Sequence, residues 1–136
     1  MNPSVKDALL VSTIAALPVG AATVVGTAVD MRVTSRGQIL ATGEFLIEAP
    51  ALAVGALPDT KTITYDIIHS DNADLSSPVV VCAGALVQTG AGGVGAAAAT
   101  RRFRPATDAK RYHGLRATGV ATVSAAAAAA TMSWVM

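Results

Sequence analysis

His69 and His113, the only two histidines, and Cys82, the only cysteine, are the side chains best suited to acid–base, nucleophilic or metal chemistry near neutral pH. Their spacing supplies none of these. Acyl transfer needs a nucleophile, a base and an orienting group within hydrogen-bond reach. Ser70 and Asp71 follow His69 directly, but successive strand residues point to opposite faces, so this adjacency is not a triad. A structural zinc ion needs four ligands close together, and one cysteine with two distant histidines does not provide them. Asp66, Asp71 and Asp74 lack the central glycine and terminal glutamate of a calcium loop and read as turn and surface residues. The run Gly90-Ala91-Gly92-Gly93-Val94-Gly95 has the glycine density of a nucleotide loop. No lysine follows it and no βαβ pattern surrounds it, so it reads as a flexible loop rather than a phosphate cradle. The expectation is no catalytic residue, no metal ligand, no cofactor and no enzyme.

Charge is more informative. Six of the ten positive residues lie between Arg101 and Arg116, a window with one acid, Asp108. Asp30, Glu44, Glu48, Asp59, Asp66, Asp71 and Asp74 form an acidic stretch earlier in the chain, in which Arg32, Arg36 and Lys61 are outnumbered. A formal net charge of +1 excludes bulk binding of polyanions. Phe103 and Tyr112 are too few to form a base-stacking platform, so direct nucleic-acid binding is not expected. Two readings of the basic window remain open. One is a solvated edge strand whose charges discourage unwanted pairing. The other is a docking surface, in which a partner offsets the self-repulsion of the cluster. The candidate interface residues are Arg101, Arg102, Arg104, Lys110, Arg111, Tyr112 and Arg116.

The elements that would carry these residues are strands. At 136 residues the chain suits one domain that buries about two-thirds of its unfolded surface. Its 52% hydrophobic content is mostly Ala and Val, which gain little per residue at about 25 cal/mol per Å². Modest stability alone and further burial through assembly are expected. In Lys61 to Ile67, Ile63, Tyr65 and Ile67 share one face and Thr62, Thr64 and Asp66 the other, the period of a half-buried strand. Val29 to Val33 alternates likewise, as do Phe45, Ile47 and Ala49 ahead of Pro50, with Gly37 and Gly43 bracketing the start. The unbroken run Val79 to Ala83, with Cys82 as a buried small hydrophobe, predicts a central strand covered on both faces.

Further strands are expected at Thr100 to Arg104, Lys110 to Thr118 and Thr131 to Met136. Ala125 to Ala130 is a strand or loop, because six alanines cannot sustain a helix alone. The pattern predicts an all-β, jelly-roll-like antiparallel β-sandwich over residues 23–136, with residues 1–22 as an extended or partly helical N-terminal arm. Lys6 to Leu17 mimics the charged and apolar regions of a secretory signal, against which Asp7 stands. Its apolar run, broken by Ser12, Thr13, Pro18 and Gly20, is too short to span a membrane.

Lys110-Arg111-Tyr112-His113-Gly114-Leu115-Arg116-Ala117-Thr118-Gly119 resembles the K-R-Y-x-x-L strand near the C-terminus of small tailed-phage capsid cement proteins, the decoration family found on Bordetella-type podophages. The order of an apolar arm, a Gly-bearing strand near Val25-Gly26, an acid-bearing strand at Glu44 to Glu48, a Thr-rich strand at Lys61 to Asp71 and the K-R-Y strand is similar too. The alanine tract before Trp134 and the Gly90 to Ala99 loop depart from that pattern. The resemblance implies a non-catalytic jelly-roll subunit on the outer surface of the virion. It would associate with itself, as a homodimer or alternatively a homotrimer, and clamp neighbouring major capsid proteins. A receptor- or carbohydrate-binding sandwich, with Trp134 as its platform, is the alternative. An enzyme would have to assemble its site around His113, Arg111 and Arg116.

Overall fold

A computed structural model describes residues 6–31, 43–105 and 110–135. Among these described residues nine strands form in chain order: β1 (Lys6–Ile14), β2 (Thr23–Val25), β3 (Val29–Asp30), β4 (Glu44–Ala49), β5 (Thr62–Ser70), β6 (Val79–Thr89), β7 (Ala99–Phe103), β8 (Tyr112–Thr118) and β9 (Ala130–Val135). They make two antiparallel sheets packed as a sandwich, one in the order β1-β9-β4-β7 and the other β2-β8-β5-β6. β3 also pairs β8. Because β5 runs along one side of β8, β2 and β3 share the other side as two pieces of one interrupted strand. Ser12 fills the interruption: its hydroxyl accepts the Leu115 N–H, while the Gly26 N–H donates to the Leu115 carbonyl.

The pairing is nested. β1 lies beside β9, β2 and β3 beside β8, β4 beside β7, and β5 beside β6. The chain is thus one long antiparallel ribbon whose tip is the turn after Ser70, rolled so that its pairs alternate between two sheets. That is the jelly-roll order expected from the sequence.

Alternation dictates the core. Phe45, Ile47, Met132 and Trp134 from one sheet meet Ile63, Tyr65, Ile67, Leu115 and Ala117 from the other. Phe45 and Trp134 stack edge to face with centroids 4.9 Å apart. The few bulky side chains are therefore concentrated at the centre, where each buries the most area. One buried polar chain crosses this core. The Tyr65 hydroxyl donates to Gln88 Oε1 at 2.7 Å, and Gln88 Nε2 donates to the carbonyls of Pro50 at 2.7 Å and Ala97 at 3.1 Å.

Three expectations change. The part of the 1–22 segment that is described is no separate arm, since β1 is a strand of the first sheet, paired to β9. Val79 to Ala83 belongs to an edge strand, β6, with Val79, Val80 and Val87 exposed and Cys82 only half-buried. Alternation is lost there because the ladder to β5 shifts twice, once around Gly84 (φ +62°) and once near Val81. The Gly90 to Ala98 loop, read as flexible, is tied down: the Gly93 N–H donates to Asp59 Oδ1 at 2.9 Å and Leu52 exchanges backbone bonds with Ala96. Gly95 permits this approach, for a Cβ there would overlap the Leu52 carbonyl oxygen. The predicted extension of β3 through Val33, and Gly37, fall outside the described residues.

Candidate functional site

The basic window maps to two strands and the ends that follow them. Arg101 and Arg102 lie on β7, Arg104 just beyond it, and Lys110 and Arg111 lead into β8, which holds Tyr112 and Arg116. β7 is an edge strand, and β8 lies inside the other sheet. The two are in different sheets, so their charges do not stack on one hairpin.

Most of these cations meet an acid of the same chain. Arg111 grips Asp30 with two parallel bonds, Nε to Oδ1 at 2.8 Å and Nη2 to Oδ2 at 2.9 Å, and that carboxylate holds the guanidinium further above its usual range. Arg116 donates to Asp66 Oδ2 through Nη2 at 2.8 Å and Nε at 3.2 Å. Lys110 Nζ reaches Asp71 at 2.8 Å, and Arg102 Nη1 reaches Glu44 at 2.9 Å. The Arg111 guanidinium also lies 5.0 Å from the centre of the Tyr112 ring, a cation–π distance. Four of the six cations are thereby neutralised within the molecule, so self-repulsion no longer argues for an external partner at those four.

Asp66 has a second task. Its Oδ1 accepts the Gly84 N–H at 2.8 Å, so one carboxylate joins β8 to the bulge of β6. At the ribbon tip, the backbone N–H of Ser76 donates to Asp74 Oδ1 at 3.0 Å. That bond, with the Ser76 hydroxyl, holds the Asp74 carboxyl below its usual range. These acids are structural partners, and the signal for them was in the sequence. An acid-rich first half opposite a base-rich second half is what a nested ribbon converts into ion pairs.

Arg101 and Arg104 stand apart: both are exposed, and neither forms an ion pair among the described residues. Arg101 opposes Ile47, on the core-facing side of β4, yet is exposed at the sandwich's open edge. An inward-facing charge on an edge strand blocks addition of another strand. The edge-strand reading fits Arg101. The ion-paired members are structural, and Arg101 with Arg104 is the exposed cationic surface.

The chemistry-bearing side chains do not converge. His113 is fully buried, its ring 5.1 Å from Phe45 and 5.5 Å from His69. Arg116, three residues on, occupies the opposite face of β8, against Asp66. His69 Nδ1 accepts the Lys110 N–H at 3.2 Å, and no group of three or more potential metal ligands occurs among the described residues. Trp134, the platform required by the carbohydrate reading, is 1% exposed and belongs to the core. No helix is long and apolar enough to cross a membrane among the described residues. No protein-family model matches the chain, and no curated protein matches it in sequence.

Proposed function

We propose that the protein is a structural virion subunit, a capsid decoration or cement protein of a tailed phage. In this reading it self-associates, sits on the outer surface of the head and clamps adjacent major capsid proteins without catalysis. The support is threefold. The K-R-Y segment that resembles the cement family leads into β8 and supplies its residues from Tyr112 on, the jelly-roll order agrees with what that resemblance implies, and a cationic surface remains after internal pairing among the described residues. The observation that carries most weight is the pair Arg101 and Arg104, whose exposure without an ion pair among the described residues suits an acidic patch on a shell. Each contact of this kind is weak, and occupancy grows when several copies bind one lattice.

Sedimentation with purified heads of the phage that encodes the chain tests the reading. The wild type is expected to co-sediment and to appear as repeated external density. Arg101→Glu combined with Arg104→Glu breaks no described ion pair and should weaken binding at least about tenfold, an effect that added salt reproduces. Reversing Arg111 or Arg102 instead would set a glutamate against Asp30 or Glu44 and confuse folding with docking. A wild type that stays in the supernatant would remove the proposal.

A further inference from the structure

Leu75 is the only buried residue of the turn 71–78 at the ribbon tip; its neighbours on both sides are exposed. It is buried away from the main core. Gly114 and Ile68 are ladder partners in β8 and β5, and both alternate with the core-facing Leu115 and Ile67, so they belong to the outer face of their sheet. Leu75 lies over that face, for a Cβ on Gly114 would come 2.3 Å from Leu75 Cδ1. Ile68 is fully buried yet outside the core cluster, as Leu75 is. The absent side chain of Gly114 thus leaves a slot on the outside of the sandwich that one leucine fills.

Holding that leucine strains the turn. Leu75 (φ +58°) and Ser77 (φ +48°) both have left-handed backbone, which disfavours each by roughly five- to thirtyfold. Ser77 is constrained further because Pro78 follows it. Burying one leucine side chain favours closure by roughly ten- to a hundredfold, so strain offsets much of what Leu75 gains. The hydrogen bonds close on the turn and its base. Ser70 Oγ donates to the Ser76 carbonyl at 2.6 Å and accepts the Asn72 N–H at 3.0 Å. The Leu75 N–H donates to the Asn72 carbonyl and the Ser76 N–H to Asp74 Oδ1, both at 3.0 Å. Lys110 Nζ reaches across to Asp71, but that carboxylate is 73% exposed and such a pair holds weakly.

We infer that residues 71–78 form a strap that opens as one unit while the sandwich stays folded, lifting Leu75 and uncovering a leucine-sized apolar slot beside Gly114. Closed, the chain occupies its own slot. Open, Leu75 and Ser77 return to ordinary backbone angles, and the bonds of Asn72, Leu75 and Ser76 break together.

Amide hydrogen exchange of the full chain, read residue by residue, tests this. The N–H groups of Asn72, Leu75 and Ser76 report on the strap, and that of Leu115, bonded to the buried Ser12, on the sandwich. Corrected for intrinsic rates, the three strap amides should agree within about threefold and be at least about a hundredfold more open than Leu115. Tyr65→Phe weakens the sandwich, and should speed Leu115 about fivefold or more while leaving the strap amides unchanged. Leu75→Ala should speed all three strap amides at least about tenfold, and Ser77→Gly, which relieves strain, should slow all three about threefold. Strap amides that speed up with Leu115 in Tyr65→Phe would mean that the turn opens only when the sandwich unfolds. Amides that respond one at a time to Leu75→Ala would mean fraying rather than a unit. Either result overturns the inference, as does a strap that opens faster in Ser77→Gly.

Discussion

Replacing Arg116 by methionine separates a structural ion pair from a docking residue. In the folded chain the Arg116 and Asp66 side chains are only 24% and 12% exposed, and one Asp66 oxygen receives both guanidinium bonds while the other receives the Gly84 N–H. Exposed pairs contribute about 0.2–1 kcal/mol, and breaking a buried pair costs about 3–5 kcal/mol because a charge is left uncompensated. With the carboxylate mostly covered but not dry, Arg116→Met should cost about 2–3 kcal/mol. Asp66→Asn keeps an acceptor for Gly84 but loses the charge, and should cost about 1–2 kcal/mol. The double variant should fall short of the sum by about 1 kcal/mol or more, as groups in one network do. Urea unfolding of the four proteins measures the cycle, and the arginine variant should melt roughly 8 °C or more lower. The cost should survive 1 M salt, which screens exposed pairs to a Debye length of about 3 Å. A cost below about 0.5 kcal/mol, or one that salt erases, would refute the claim that this pair anchors β8 to the β6 bulge.

Two further outcomes are expected. A Cβ on Gly114 would lie 2.3 Å from Leu75 Cδ1, and Leu75 is buried over β8 from a left-handed backbone position (φ +58°). Gly114→Ala should therefore destabilise by about 1–3 kcal/mol, and adding Leu75→Ala should cost less than it does alone, as read from denaturant midpoints. Burial pushes the Tyr65 hydroxyl well above its ordinary value, so the folded state holds this proton more tightly than the unfolded state. That stability is complete below about pH 10 and is lost as pH rises beyond it. Tyr65→Phe should lower stability by about 1–2 kcal/mol at neutral pH, since Gln88 Oε1 loses its donor. It should also flatten the alkaline limb of the stability profile.

β4, β5, β8 and β9 were legible because each buries one face and exposes or covers the other differently, so apolar residues recur every second position. β6 misled for a physical reason: two register shifts against β5 break that alternation, and an edge strand then has the look of a central one. β1 was obscure because its small and apolar residues suit a helix as well as a strand, and only β9 decides between them. His113 could not be placed by its neighbours in sequence, since Arg111 and Arg116 belong to ion pairs rather than to its core-facing pocket. The basic window and the acidic stretch were both visible, but which acid meets which cation was not, because a pair such as Asp30 with Arg111 spans most of the chain and exists only once the ribbon is rolled.

That rolling ties charge pattern to function. A jelly roll built as a nested ribbon lays its second half along its first, so an acid-rich first half and a base-rich second half neutralise one another across the β-ladders. Charge density in such a chain reports on folding before it reports on binding. In the basic window, what remains after internal pairing among the described residues is Arg101 and Arg104, along and beyond β7, and the proposed docking rests on that remainder. On the proposed reading, the contact that these residues make with a shell is an ionic one that salt weakens.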